Sequence, residues 1–241
     1  MQEVNIESGV QLFSRIQTES AHALDGIYPK LFPDGGPFGN QVVEVVFSKE
    51  TDPTDWFADV IAKAVLPSSL HPEFKQSQVI FFNTEAQLNI FKLIKFMEKK
   101  LRQCSQKTAV VEQAMSRLVL LNCYTADQLE ITFYNLENII RHLDSPSLVI
   151  LDNSLSQYWT RRFESSKPML SFKRHSIQIV NELFEKVKGL NVVLMFGRSG
   201  DYQSRSAHID YTIQIAREKL ATVTDWGRNR KFKADIDLEF H

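Results

Sequence analysis

Gln41-Val42-Val43-Glu44-Val45-Val46-Phe47 is followed by Ser48-Lys49-Glu50-Thr51-Asp52-Pro53 and then by a helical pattern from about Thr54. Four valines and a phenylalanine around one glutamate read as a buried strand, so the segment is strand, loop and helix. In an open α/β sheet, a loop at this point is where nucleotide phosphates are cradled. The cradle needs glycine so that backbone N–H groups can close around the phosphates, and a lysine just before the Ser/Thr to meet their charge. Loop 48–53 has no glycine. Asp52 and Pro53 stand in the places of the glycine and the lysine, one adding a negative charge and the other removing an N–H donor. Only Thr54 survives. A carboxylate within about 4 Å of a phosphate charge costs about 4 kcal/mol at an effective dielectric of 20, roughly a thousandfold in affinity.

Strand and helix patterns alternate outward from this segment. Gln78-Val79-Ile80-Phe81-Phe82-Asn83 reads as a second strand, followed by an amphipathic helix with Leu88, Phe91, Leu93, Ile94, Phe96, Met97 and Leu101 as its apolar positions. The lysines at 92, 95, 99 and 100 read as that helix's wet face. A short helix near 110–116 leads to a strand at 118–121, a helix at 126–143 to a strand at 148–151, and a helix at 171–187 to a strand at 191–196. Strands that are continuously apolar imply a parallel sheet covered on both faces. Segments 209–215, 231–234 and 236–240 read as added, partly antiparallel edge strands. The fold class is therefore α/β, a mostly parallel sheet flanked by helices. Residues 1–40 read as an N-terminal arm, helical over 7–16, and a Pro/Gly-rich linker, and residues 41–241 as the core domain.

Composition narrows the function classes. With 241 residues, 43% of them hydrophobic, the chain can bury one large core. A formal net charge of -1 gives no global attraction to nucleic acid, so any DNA contact is local or made by a partner. The two cysteines, Cys104 and Cys123, form no Cys-x-x-Cys and no Cys/His cluster, which argues against structural zinc and a disulfide framework. Glu3 and Glu7 break any signal-peptide pattern, and no run of about 18 apolar residues could span a bilayer.

The strand ends are the expected place for chemistry. Glu85 could polarise an attacking water, or simply sit at a helix N-terminus where the dipole favours it. Asp152 closes Leu148-Val149-Ile150-Leu151 as the magnesium-orienting carboxylate of a nucleotide site would, or remains as a relic that caps its own loop. Gly197-Arg198-Ser199-Gly200-Asp201 reads as a ligand-facing loop or an ordinary surface turn. Basic and aromatic residues interleave at Tyr158, Trp159, Arg161, Arg162 and Phe163, at Arg198 and Arg205, and at Trp226, Arg228, Arg230, Lys231, Phe232 and Lys233. Such mixtures suit stacking and phosphate contact on single strands, and equally a solvated face.

The order of these pieces resembles the RecA-type recombinase core of eukaryotes. Val79-Ile80-Phe81-Phe82-Asn83-Thr84-Glu85, the run from Ser147 to Ser156, and Tyr158-Trp159 carry the likeness, which covers most of residues 7–200. With Glu7-Ser8-Gly9, Leu12, Arg15, Leu31-Phe32 and the segment 62–67, the chain is most similar to the small paralogue type that lacks the usual N-terminal DNA-binding domain. The resemblance implies a nuclear role in homologous recombination repair. There the chain would be a subunit of a heteromeric complex with another, ATP-binding recombinase paralogue, assisting the main recombinase filament on single-stranded DNA. Members of the family carry Gly-Lys-Thr in their loop. This chain departs at Phe47, Glu50, Asp52 and Pro53, so the expectation is a pseudo-ATPase that holds neither ATP nor magnesium. A divergent ATPase using Thr54, Glu85 and Asp152, and a scaffolding domain of the same fold unrelated to DNA, stay open.

Overall fold

The computed structural model describes residues 22–48, 51–102, 104–164, 170–200, 208–216 and 220–236. The helix expected at 7–16 lies outside the described residues, as do Lys49, Glu50, Asp201, Arg205 and the strand expected beyond Ile236.

The first strand, β1 (Val42–Phe47), is buried throughout. It is followed by α1 (Pro53–Val65), β2 (Gln78–Asn83), α2 (Ile90–Lys100), α3 (Lys107–Met115), β3 (Leu118–Asn122), α4 (Ala126–Arg141), β4 (Pro146–Leu151), α5 (Tyr158–Glu164), α6 (Phe172–Val187), β5 (Val193–Ser199), β6 (Tyr211–Ile215), β7 (Leu220–Asp225) and β8 (Arg230–Asp235). All eight strands form one sheet in the order β3-β2-β4-β5-β1-β6-β7-β8. The pairs from β3 to β6 are parallel, and β6-β7 and β7-β8 are antiparallel.

Alternation along the strands divides the core into two layers. Val43, Val45, Phe47, Val79, Phe81, Ile150 and Met195 share one cluster with Trp56, Phe57, Val60 and Ile61 of α1, Leu93 and Met97 of α2, and Val111 and Ala114 of α3. Val42, Ile80, Phe82, Val149, Leu151, Leu194 and Phe196 face the other way, against Leu129, Phe133 and Leu136 of α4 and Ile179, Val180 and Leu183 of α6. Each such side chain stabilises the fold by about 1.5–3 kcal/mol when fully buried. The linker belongs to the first layer, where Leu24, Ile27, Tyr28, Leu31 and Phe32 are all buried.

Helix starts follow local chemistry. Asn89 caps α2, Ser171 caps α6, and Thr125 with Gln128 forms a full capping box on α4.

Several details depart from the sequence reading. Phe91, read as a core position, is 77% exposed, because α2 buries Leu93 and Met97 and packs Ile94 and Phe96 partly against the core, leaving Phe91 outside that face. Two of the lysines read as a wet face are tied to α1: Lys100 reaches the buried Asp59 at 2.6 Å and Lys92 reaches Asp55 at 2.5 Å. Helix α5 and strand β7 went unread. In β7, burial alternates residue by residue beside the turn at 226–229, and its β-branched Thr222-Val223-Thr224 was the available signal.

Candidate functional site

The parallel strands β1, β2, β4 and β5 end together, and Phe47, Pro53, Thr54, Glu85, Asp152 and Arg198 meet there around a cavity of about 20 Å³. That is room for about one water molecule. The sheet register makes the cluster, since Phe82 pairs with Leu151, Leu151 with Phe196, and Phe47 with Ser199.

On the β1 side, Asp52 is the N-cap of α1, its Oδ1 accepting the Thr54 N–H at 2.9 Å, and Pro53 opens the helix. Both residues are therefore used by the helix start itself, where an oxygen acceptor and a residue without N–H are favoured. Lys92 of α2 lies 3.6 Å from Asp52 and 2.5 Å from Asp55. Burial disfavours charge on Asp52, but the Thr54 hydrogen bonds and the Lys92 ammonium outweigh it and hold the carboxyl below its ordinary range. An ammonium is thus present near the loop, shared between two carboxylates of the chain. Ser48 and Thr51 close the loop on themselves through a 2.7 Å hydroxyl pair.

Asp152 lies in the next sector. It accepts the N–H groups of Thr84 at 2.8 Å, Glu85 at 3.1 Å and Asn153 at 2.8 Å, and also the Thr84 hydroxyl. Burial pushes its pKa up to about 6 despite those donors. The carboxylate therefore clamps the end of β2 to the end of β4. Glu85 accepts the Asn153 amide at 2.5 Å and the Gln87 amide at 3.0 Å. Gly197 allows the close approach here, since a Cβ on it would lie 2.2 Å from the Asp152 carbonyl oxygen and 2.9 Å from the Phe57 ring.

Arg198 corrects its expected role as a DNA contact. It lies inside β5, its side chain 2% exposed, and its Nε donates to Glu44 at 2.6 Å. Glu44 also accepts the Thr212 hydroxyl at 3.0 Å, and Trp226 Nε1 donates to that hydroxyl at 2.9 Å. The sequence reading missed this network, although a lone glutamate inside an apolar strand was its signal.

The remaining basic candidates among the described residues do not form one surface. Arg161 and Arg162 follow the carboxyl end of β4, with Arg162 5.0 Å over the Trp159 ring. Trp159 is half-exposed and packs edge-on against Tyr158 and Phe172. Arg228, Arg230 and Lys231 belong to the β7–β8 hairpin, and the pairing of Asp225 with Tyr211 puts its turn at the opposite end of the sheet. Arg228 reaches Asp34 at 2.6 Å and Arg230 reaches both Asp34 and, at 3.1 Å, Asp225, so these two arginines tie the linker to the hairpin. Arg205 lies outside the described residues.

Among the described residues, no group of three or more His, Cys, Asp and Glu side chains could hold a metal ion, and no helix is long and apolar enough to cross a membrane. No family model matches the chain. The chain is 26% identical over 235 residues, 97% of its length and 77% of the relative's, to the DNA repair protein XRCC2 of Mus musculus. Matched along nearly its whole length to that protein and built on a mostly parallel sheet with an antiparallel edge, the chain is similar to XRCC2, which supports the resemblance to a RecA-type paralogue.

Proposed function

We propose that this chain acts in homologous recombination repair of DNA in the nucleus as a subunit that neither binds nor splits ATP. It joins a second, ATP-binding recombinase paralogue in a heteromeric complex that helps the main recombinase load onto, or persist on, single-stranded DNA. The repair role rests on the likeness to a DNA repair protein. The observation that carries the non-catalytic reading is the cap at Asp52 and Pro53: the backbone that would enclose phosphates is instead spent on starting α1. Two further features support it. The cavity at the strand ends is about 20 Å³, and Asp152 already accepts three backbone N–H groups, leaving little of its carboxylate for a hydrated magnesium ion. A direct contact with single-stranded DNA is best placed at Trp159 and Arg162, where a half-exposed ring and a guanidinium stack.

Two measurements test this. Affinity capture of the chain from its own cells recovers an ATP-binding recombinase paralogue, and capture with no recombination protein overturns the assembly role. Titration with a fluorescent ATP analogue and magnesium gives no saturable binding. Saturable, magnesium-dependent binding that disappears in Asp152→Ala overturns the non-catalytic reading.

A further inference from the structure

Helix α4 carries a second apolar feature on the side that faces away from the sheet. Its inward stripe, Leu129, Phe133, Leu136 and Ile140, is buried in the second core layer. On the opposite side Asp127, Ile131, Tyr134 and Asn138 follow at i, i+4, i+7 and i+11 and are all exposed, so they form one straight outer stripe. The outer stripe of such a helix is normally polar, yet Ile131 is 63% and Tyr134 78% exposed. A single exposed apolar residue needs no explanation, but these two are neighbours on the helix surface. Acidic groups flank them. Asp127 and Glu130 are exposed, and among the described residues neither carboxylate has an ion pair or a hydrogen bond. The nearby cations are engaged: Arg141 donates to Glu137 at 2.7 and 3.0 Å, and Lys186 of α6 lies 5.7 Å from the centre of the Tyr134 ring. The helix dipole accounts for Asp127 in the first turn but not for Glu130 in the second.

We propose that the outer face of α4 docks a basic amphipathic helix of a partner protein. The partner's apolar stripe lies on Ile131 and Tyr134, and its Lys or Arg side chains reach Asp127 and Glu130. Charge complementarity selects the sign of the partner, because cations complete a face whose carboxylates have none. The same carboxylates repel the phosphates of a nucleic acid. They also exclude a second copy of α4, which would bring Asp127 and Glu130 against their own kind. Shape selects a helix. From Asp127 to Tyr134 the stripe rises about 10 Å over two turns, and a straight ridge of this kind packs into the groove of another helix. A contact of this size belongs to weak, exchangeable interfaces. The face would bind such a helix whether or not the chain belongs to a recombinase assembly. Because α4 covers the sheet on the side opposite to α1 and α2, the loop before α1 stays accessible while the face is occupied.

The test is fluorescence anisotropy on the full chain with a fluorescein-labelled amphipathic peptide, Leu at helical spacing on one face and Lys on the other. The comparison probes are a peptide of the same composition in scrambled order and a helical peptide with Glu in place of Lys. The ordered Lys-Leu peptide is expected to bind in the micromolar range and to weaken with added salt. Its affinity falls about tenfold in Glu130→Lys and about threefold or more in Ile131→Ser. The scrambled peptide binds at least tenfold more weakly, and the Glu-Leu peptide does not bind. Both altered side chains are exposed, so unfolding midpoints stay with the parent, and Glu130→Gln, which removes the charge and keeps the shape, gives a smaller loss of the same sign. Absent binding of the ordered peptide, or binding that both Glu130→Lys and Ile131→Ser leave intact, overturns the proposal. So does a scrambled peptide that binds as tightly as the ordered one, since charge alone would then explain the binding. No recombination protein or nucleotide enters the assay, so its outcome is separate from that of the capture and ATP-analogue experiments.

Discussion

Replacing Arg198 by Met separates a structural arginine from a DNA-binding one. The guanidinium donates to Glu44 at 2.6 Å, and both side chains are 2% exposed. Removing it leaves Glu44 buried without this cation, a change that costs about 3–5 kcal/mol when one member of a buried pair is lost. For a domain of this size each kcal/mol moves the unfolding midpoint by about 2–4 °C, so Arg198→Met is expected to unfold about 10 °C below the parent in thermal circular dichroism. The double variant Glu44→Leu, Arg198→Met removes both charges from a site surrounded by apolar strands. It is expected to recover at least half of that loss, because replacing a whole buried pair is often neutral. Recovery of this kind is the non-additivity of two groups in contact. An Arg198→Met protein that unfolded within 2 °C of the parent, yet bound single-stranded DNA more weakly, would refute the reasoning and return Arg198 to the DNA-facing surface.

Asp152→Ala removes the acceptor for three backbone N–H groups, and at about 1–3 kcal/mol for each donor left without a partner it should destabilise the chain by several kcal/mol in urea unfolding and speed proteolysis near residue 84. The raised pKa of Asp152, about 6, fixes a pH trend. The folded state holds this proton more tightly than the unfolded chain, so the group's contribution is full below about pH 4 and is lost as pH rises through about 6, on the order of 3 kcal/mol in all. Asp152→Asn should flatten that part of the stability profile, and an unchanged slope would contradict the assignment. Gly197→Ala puts a Cβ 2.2 Å from a backbone oxygen and should cost about 3 kcal/mol or more, read as loss of soluble protein or a lowered midpoint; a protein of parental stability would show that β4 and β5 can part there.

The parallel part of the sheet was legible because its strands are apolar almost without interruption and its helices carry apolar stripes. Phe81, Phe82, Val149 and Ile150 had to be buried on both faces wherever they were placed. That loop 48–53 has no glycine, and has Pro53 in place of a lysine before Thr54, was also plain from the residues themselves. Sequence further offered two uses for Asp152, and the structure shows its carboxylate accepting the N–H groups of Thr84, Glu85 and Asn153.

Only the tertiary structure decided which polar residues are partners. Glu44 and Arg198 lie 154 residues apart, and nothing local in either strand names the other. Parallel pairing of β5 beside β1 brings them together, and their burial in a low dielectric then makes the pair obligatory. Arg228 and Arg230 read as a basic patch until the hairpin is folded against Asp34, and Lys92 and Lys100 read as solvated until α2 lies along α1. Periodicity and backbone chemistry are local, so the sequence alone determines strands, helices and the capping chemistry at Asp52 and Pro53. Charge pairing depends on distances set by the sheet order, so it belongs to the fold.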